Sequence, residues 1–143
     1  MEIFNRVMYS TELNRIISDE IDKYGVEDYI DRVNFDNYEK QLGVYYPTKK
    51  EIVINYGNIL DEAFYLFSKK DLTVNQYNRF CNILLLNVIH HELNHALQTK
   101  EANKETNDSL HKVIKEGIEF GSRLPSNVSL KESFLYKFMY KKI

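Results

Sequence analysis

Residues 80–97 read FCNILLLNVIHHELNHAL, and this stretch decides the fold. From Phe80 to Ile89 it is apolar almost all round, which marks a helix buried in the middle of a domain rather than one lying on its surface. Working outward, Thr73 stands where an N-cap belongs, and helical periodicity continues from about Asn75 to Thr99. At about 1.5 Å per residue such a helix is roughly 35–40 Å long, enough to cross a whole domain. The charged and polar end of the same stretch, His91-Glu92-Leu93-Asn94-His95, is the sharpest chemical signal in the chain.

Around that helix the elements are shorter. Residues 10–24 carry Leu13, Ile16, Ile17, Ile21 and Tyr24 on one stripe, with Ser10 or Thr11 as cap and Gly25 as stop, so a helix is expected. Residues 26–42 have mixed apolar spacing and read as a short helix plus loop. Gly43-Val44-Tyr45-Tyr46 and Glu51-Ile52-Val53-Ile54-Asn55 are β-rich, and Pro47-Thr48-Lys49-Lys50 between them forms the turn of a hairpin. A lone hairpin is marginal in water and must pack on helices or gain a third strand. Residues 58–68 read as a helix capped by Asn58, and TKEANKETND at 99–108 as a polar loop. Helices are expected again from Ser109 to about Arg123 and from Ser129, where Ser129 and Glu132 have capping-box spacing ahead of Phe134, Leu135 and Phe138. The expected class is α+β, mostly α, in one domain spanning residues 1–143.

Composition excludes several functions. Nineteen Lys+Arg against 21 Asp+Glu give a net charge of −2, so no global basic field draws nucleic acid or an anionic membrane, and direct nucleic-acid binding is not expected. No apolar run is long enough to span a bilayer, and the N-terminus lacks the pattern of a signal peptide. A single cysteine, Cys81, cannot form an internal disulfide, and a cytoplasmic protein is expected. Cys81 lies in the apolar part of the long helix, where packing is a better role for it than nucleophile.

The HExxH pattern has a mechanical meaning. A spacing of four puts His91 and His95 on one helix face, where both imidazoles can bind one Zn²⁺ at about 2.0–2.1 Å. Glu92 is placed to reach a metal-bound water as general base without itself being a ligand. The pattern arises by chance in roughly one shuffled chain per hundred, but chance matches seldom also fall on a strongly buried helix. Two histidines four apart can instead be ordinary core or surface residues. His90 points about 100° away from His91 and reads as a packing residue or a support for the ligands. A catalytic zinc usually has three protein ligands and a water. His111, Glu116 and Glu119, which lie 16, 21 and 24 residues after His95, are the candidates for the third, and spacing leaves all three open. Tyr45, Tyr46 and Tyr56 are candidates to donate to an oxyanion.

Three pieces of the chain together resemble the ImmA/IrrE type of small zinc metallopeptidase. The hairpin Leu42-Gly43-Val44-Tyr45-Tyr46…Glu51-Ile52-Val53-Ile54-Asn55 precedes the motif helix, as in that family. Val88-Ile89-His90-His91-Glu92-Leu93-Asn94-His95-Ala96-Leu97 is similar to its run ending in HELGHAL. Glu116-Gly117-Ile118-Glu119-Phe120-Gly121-Ser122-Arg123-Leu124-Pro125 resembles its Glu-Ala-Asn-x-Phe-Ala segment leading to Leu-Leu-x-Pro, although Gly117 and Ile118 stand for Ala-Asn and the ending is shorter. The resemblance implies a zincin-like fold, a zinc cofactor held by His91, His95 and Glu116, and Glu92 as catalytic base. It also implies a protein substrate, for which a helix-turn-helix repressor is the usual target. SprT-like zincins, which act on DNA-bound proteins, have a similar hairpin and motif but take a downstream histidine, for which His111 has a suitable distance. A third expectation is a zincin fold that serves as a binding or regulatory module with little activity.

Overall fold

The computed structural model describes residues 3–36 and 41–103. Among these residues, three helices, one short 3₁₀ turn and three strands follow in order, making a mostly helical α+β architecture with a small mixed sheet. Helix α1 spans Ser10–Tyr24, α2 Tyr56–Lys69 and α3 Val74–Asn103; strands β1, β2 and β3 span Arg32–Phe35, Gly43–Tyr46 and Glu51–Ile54.

Helix α3 organises everything else. Its 30 residues make a rod of about 45 Å. Thr73 caps it as the sequence predicts: the backbone N–H of Gln76 donates to Thr73 Oγ1 at 3.1 Å, and the N–H of Thr73 donates to Gln76 Oε1 at 3.0 Å. Every residue from Phe80 to His90 is buried, including Asn82 and Asn87. Asn82 resolves the cost of its own burial by clamping the N-terminal segment. Its Oδ1 accepts from the Met8 N–H at 2.7 Å, and its Nδ2 donates to the carbonyls of Phe4 at 3.1 Å and Arg6 at 2.8 Å. Cys81 is fully buried, and burial pushes its thiol up to about 11, so it packs as a small apolar group.

Helix α1 has the boundaries its apolar stripe predicts, with Leu13 and Ile17 buried against the core. Its cap differs from the expected Ser10 or Thr11. Tyr9 holds the N-cap position, and the Glu12 carboxylate accepts the Tyr9 N–H at 2.9 Å while it also meets both terminal nitrogens of Arg6. Gly25 ends the helix at φ 65°, a left-handed conformation that suits glycine, and Lys100 of α3 reaches across to the Gly25 carbonyl. Helix α2 begins at Tyr56 behind Asn55, three residues ahead of the expected cap Asn58. Asn55 is buried and tied to the chain just before β2: its N–H donates to the Leu42 carbonyl at 2.9 Å and its side chain to the Gln41 carbonyl.

The hairpin β2–β3 forms with the expected strands and turn, in antiparallel register from Gly43 opposite Ile54 to Tyr46 opposite Glu51. The third strand it needs is β1, which pairs parallel to β3 with Arg32 opposite Glu51 and Phe35 opposite Ile54. That corrects the reading of residues 26–42 as helix plus loop: among the described residues of that span, Glu27–Tyr29 forms a single 3₁₀ turn and Arg32–Phe35 a strand. The sheet order β1-β3-β2 leaves β3 central, which is why Val53 is buried along with Ile52 and Ile54. Strands β1 and β2 are the two edges among the described residues, and β2 lies against α3.

Helix α3 runs through Thr99 to Asn103, so the first part of the expected polar loop 99–108 is helical. The expected helices from Ser109 and Ser129, with Phe134, Leu135 and Phe138, lie outside the described residues, as do His111, Glu116 and Glu119. Among the described residues no helix is long and apolar enough to cross a membrane.

Candidate metal centre

Two turns of α3 present the site. His91 is half-buried and His95 exposed, and their Nε2 atoms stand 3.2 Å apart with the rings close to perpendicular. Two nitrogens bound tetrahedrally to one zinc at about 2.05 Å would stand roughly 3.3 Å apart, so this separation suits a shared cation. The same separation also suits a hydrogen bond in which one imidazole donates to the other. Burial, and secondarily the nearby His95, lowers the pKa of His91, favouring the neutral ring whose lone pair a metal needs. On the far side of the pair, His95 Nδ1 lies 3.1 Å from Gln98 Oε1. That contact orients the ring, as supporting hydrogen bonds do for metal-binding histidines.

Glu92 occupies a different position from its neighbours. It is only 3% exposed, and burial alone raises its carboxyl to about 7. Strand β2 passes close to it at Gly43. A Cβ built on Gly43 would stand 3.1 Å from Glu92 Oε2, 3.3 Å from Glu92 Cγ and 2.6 Å from Val88 Cγ1. Only a residue without a side chain lets the strand come this close to α3. Gly43→Ala is therefore expected to push the strand from the helix and cost about 1–3 kcal/mol, the usual range for overpacking. Chemical denaturation checks the loss, and a Gly43→Ala protein as stable as the parent would show that the gap can open freely.

Between β2 and α3 opens a cleft of about 780 Å³, lined by residues 41–45 and Pro47 on one side and His91, Glu92, His95, Gln98, Thr99 and Ala102 on the other. The structure thus brings His91, Glu92 and His95 together at one opening. Among the described residues, no cluster of three or more His, Cys, Asp or Glu side chains has the arrangement of a metal site.

The expected oxyanion donors are engaged elsewhere in two cases. Tyr45 OH donates to the Tyr29 carbonyl at 2.9 Å and Tyr56 OH to the Met8 carbonyl at 2.6 Å, while Tyr46 lies under the Lys49 ammonium. His90 is 4% exposed; its Nδ1 is 2.9 Å from Tyr24 OH, and its Nε2 is 3.7 Å from Glu20 Oε2. It ties α1 to α3 behind the histidine pair, which fits its expected role in packing and support. Sequence reasoning missed Gln98 and the contact of Gly43 with Glu92. The first was readable as a polar residue three positions after His95 on a shared face, whereas the second depends on strand placement that no local pattern carries.

Comparison of the chain with protein-family models, with curated proteins and with solved structures returned no match.

Proposed function

We propose that the chain is a zinc-dependent metallopeptidase of the HExxH type, with His91, His95 and Glu116 as ligands and Glu92 as catalytic base. The observation that carries this reading is the convergence of two imidazole nitrogens 3.2 Å apart beside a buried carboxylate at the mouth of a cleft.

Bound zinc would polarise the scissile carbonyl and acidify a water. Glu92 takes the proton from the attacking water and delivers it to the departing amine nitrogen, which leaves the carboxylate as it began. The absence of a side chain at Gly43 lets strand β2 lie close to Glu92, and Gln98 orients His95. Strand β2 has its outer edge beside the cleft, so an extended peptide can pair with it and lie across the site. A protein substrate suits that geometry. The resemblance of the hairpin and motif to the ImmA/IrrE family makes a regulatory protein such as a helix-turn-helix repressor the class to try first, in a cytoplasmic setting.

The test uses the full chain, stripped with a chelator and then dialysed. Hydrolysis of an unstructured protein should vanish on stripping and return with added zinc, with a parallel rise in melting temperature. Binding of zinc without hydrolysis of any substrate would instead favour a binding or regulatory module.

A further inference from the structure

On one side His91 lines the cleft with Glu92, His95 and strand β2, but its other side carries an anomaly. Asn87 and Asn94 lie about 40° and 60° round the helix from His91, away from His95. Asn87 is 0% exposed, and among the described residues neither its Oδ1 nor its Nδ2 has a hydrogen-bond partner; the Oδ1 of Asn94 is likewise buried and unpartnered there. Leaving a buried carboxamide unpaired is costly, and leucine has nearly the same size and prefers a helix. Asn82, on the same helix, makes three side-chain hydrogen bonds, and Asn55 pairs its Nδ2 while its Oδ1 stays unpartnered among the described residues; Asn87 is the buried asparagine with both side-chain polar atoms unpaired there. Meanwhile His91 engages His95 through Nε2, and its Nδ1 has no partner among the described residues. A histidine that binds metal through Nε2 needs an acceptor for its Nδ1–H, both to fix the tautomer and to hold the ring.

We propose that Asn87 is the positioning residue for His91, its Oδ1 accepting the Nδ1–H when Nε2 binds zinc. One helical turn separates the two residues, and side chains on a helix lean towards its N-terminus, which carries the His91 ring over Asn87. The orphaned carboxamide is then an acceptor held in reserve for the loaded site. This rests on the zinc-site reading above and extends it to one residue that the motif does not include.

Zinc affinity, measured by competition with a chromogenic chelator, tests the proposal without recourse to catalysis. Asn87→Leu should raise the melting temperature of the metal-free protein, because the unpaired polar atoms are gone, yet weaken zinc binding about 10–100-fold. Asn87→Asp, which keeps the acceptor, should stay within a few-fold of the parent affinity, and so should Asn94→Ala. A parent that binds zinc while Asn87→Leu binds it equally well would overturn this inference and leave the zinc site standing. Loss of affinity in Asn94→Ala but not in Asn87→Leu would also overturn it. A parent that binds no zinc would overturn both.

Discussion

Glu92→Gln is expected to retain zinc and lose peptide hydrolysis by about 10²–10⁴-fold, the usual contribution of a positioned general base. The substitution keeps shape and volume, so the close approach of Gly43 to the side chain survives. What changes is the ability to accept a proton: the amide cannot take one from water and has none to return to the leaving nitrogen. Glu92 is buried to 3% exposure and lies beside the histidine pair rather than within it, so the metal affinity should move little. Rates on one validated substrate together with zinc content separate the two effects. A Glu92→Gln protein that hydrolyses as fast as the parent would remove Glu92 from the chemistry, whatever binds at the histidines.

The second large effect concerns the third ligand. Glu116→Ala is expected to abolish tight zinc binding, a loss well beyond the roughly 10–100-fold that follows removal of a supporting residue. His91 and His95 lie on one face of a single helix and leave the opposite hemisphere of any bound ion open. Sequence spacing offers Glu116, His111 and Glu119 for that side, and the resemblance of Glu116–Pro125 to the glutamate segment of the ImmA/IrrE family favours Glu116. His111→Ala and Glu119→Ala should therefore weaken binding modestly or leave it unchanged. Loss of zinc in His111→Ala, with Glu116→Ala unaffected, would move the protein to the SprT-like ligand set.

Features written in local periodicity were legible before any coordinates. The stripe of Leu13, Ile17 and Tyr24 marks α1 to the residue, and Gly25 ends it as a left-handed cap. The all-round apolar run Phe80–Ile89 marks the buried centre of α3, and Thr73 its start. The hairpin was equally plain, because β-branched and aromatic runs flank a short polar turn. Strand β1 was not. Its inward pair, Val33 and Phe35, is only half-buried and follows Tyr29 and Ile30 at helix-like spacing; the strand exists because β3 offers it an edge. The same limit applies to α2, whose start depends on Asn55 being held by Gln41 and Leu42 from another part of the chain. At the site, the residue types and spacing of His91, Glu92 and His95 were readable, as was the helix that carries them. The approach of Gly43 to Glu92 and the unpaired Asn87 arise from packing between elements, which one-dimensional spacing does not encode.

Elemental analysis of the full-length protein, purified without chelator, tests the central claim most directly. About one zinc per chain is expected in the parent, and close to none in His91→Ala or His95→Ala, since each removes one of the two paired imidazoles. A parent free of metal, with neither activity nor melting temperature responding to added zinc, would contradict the account at its base.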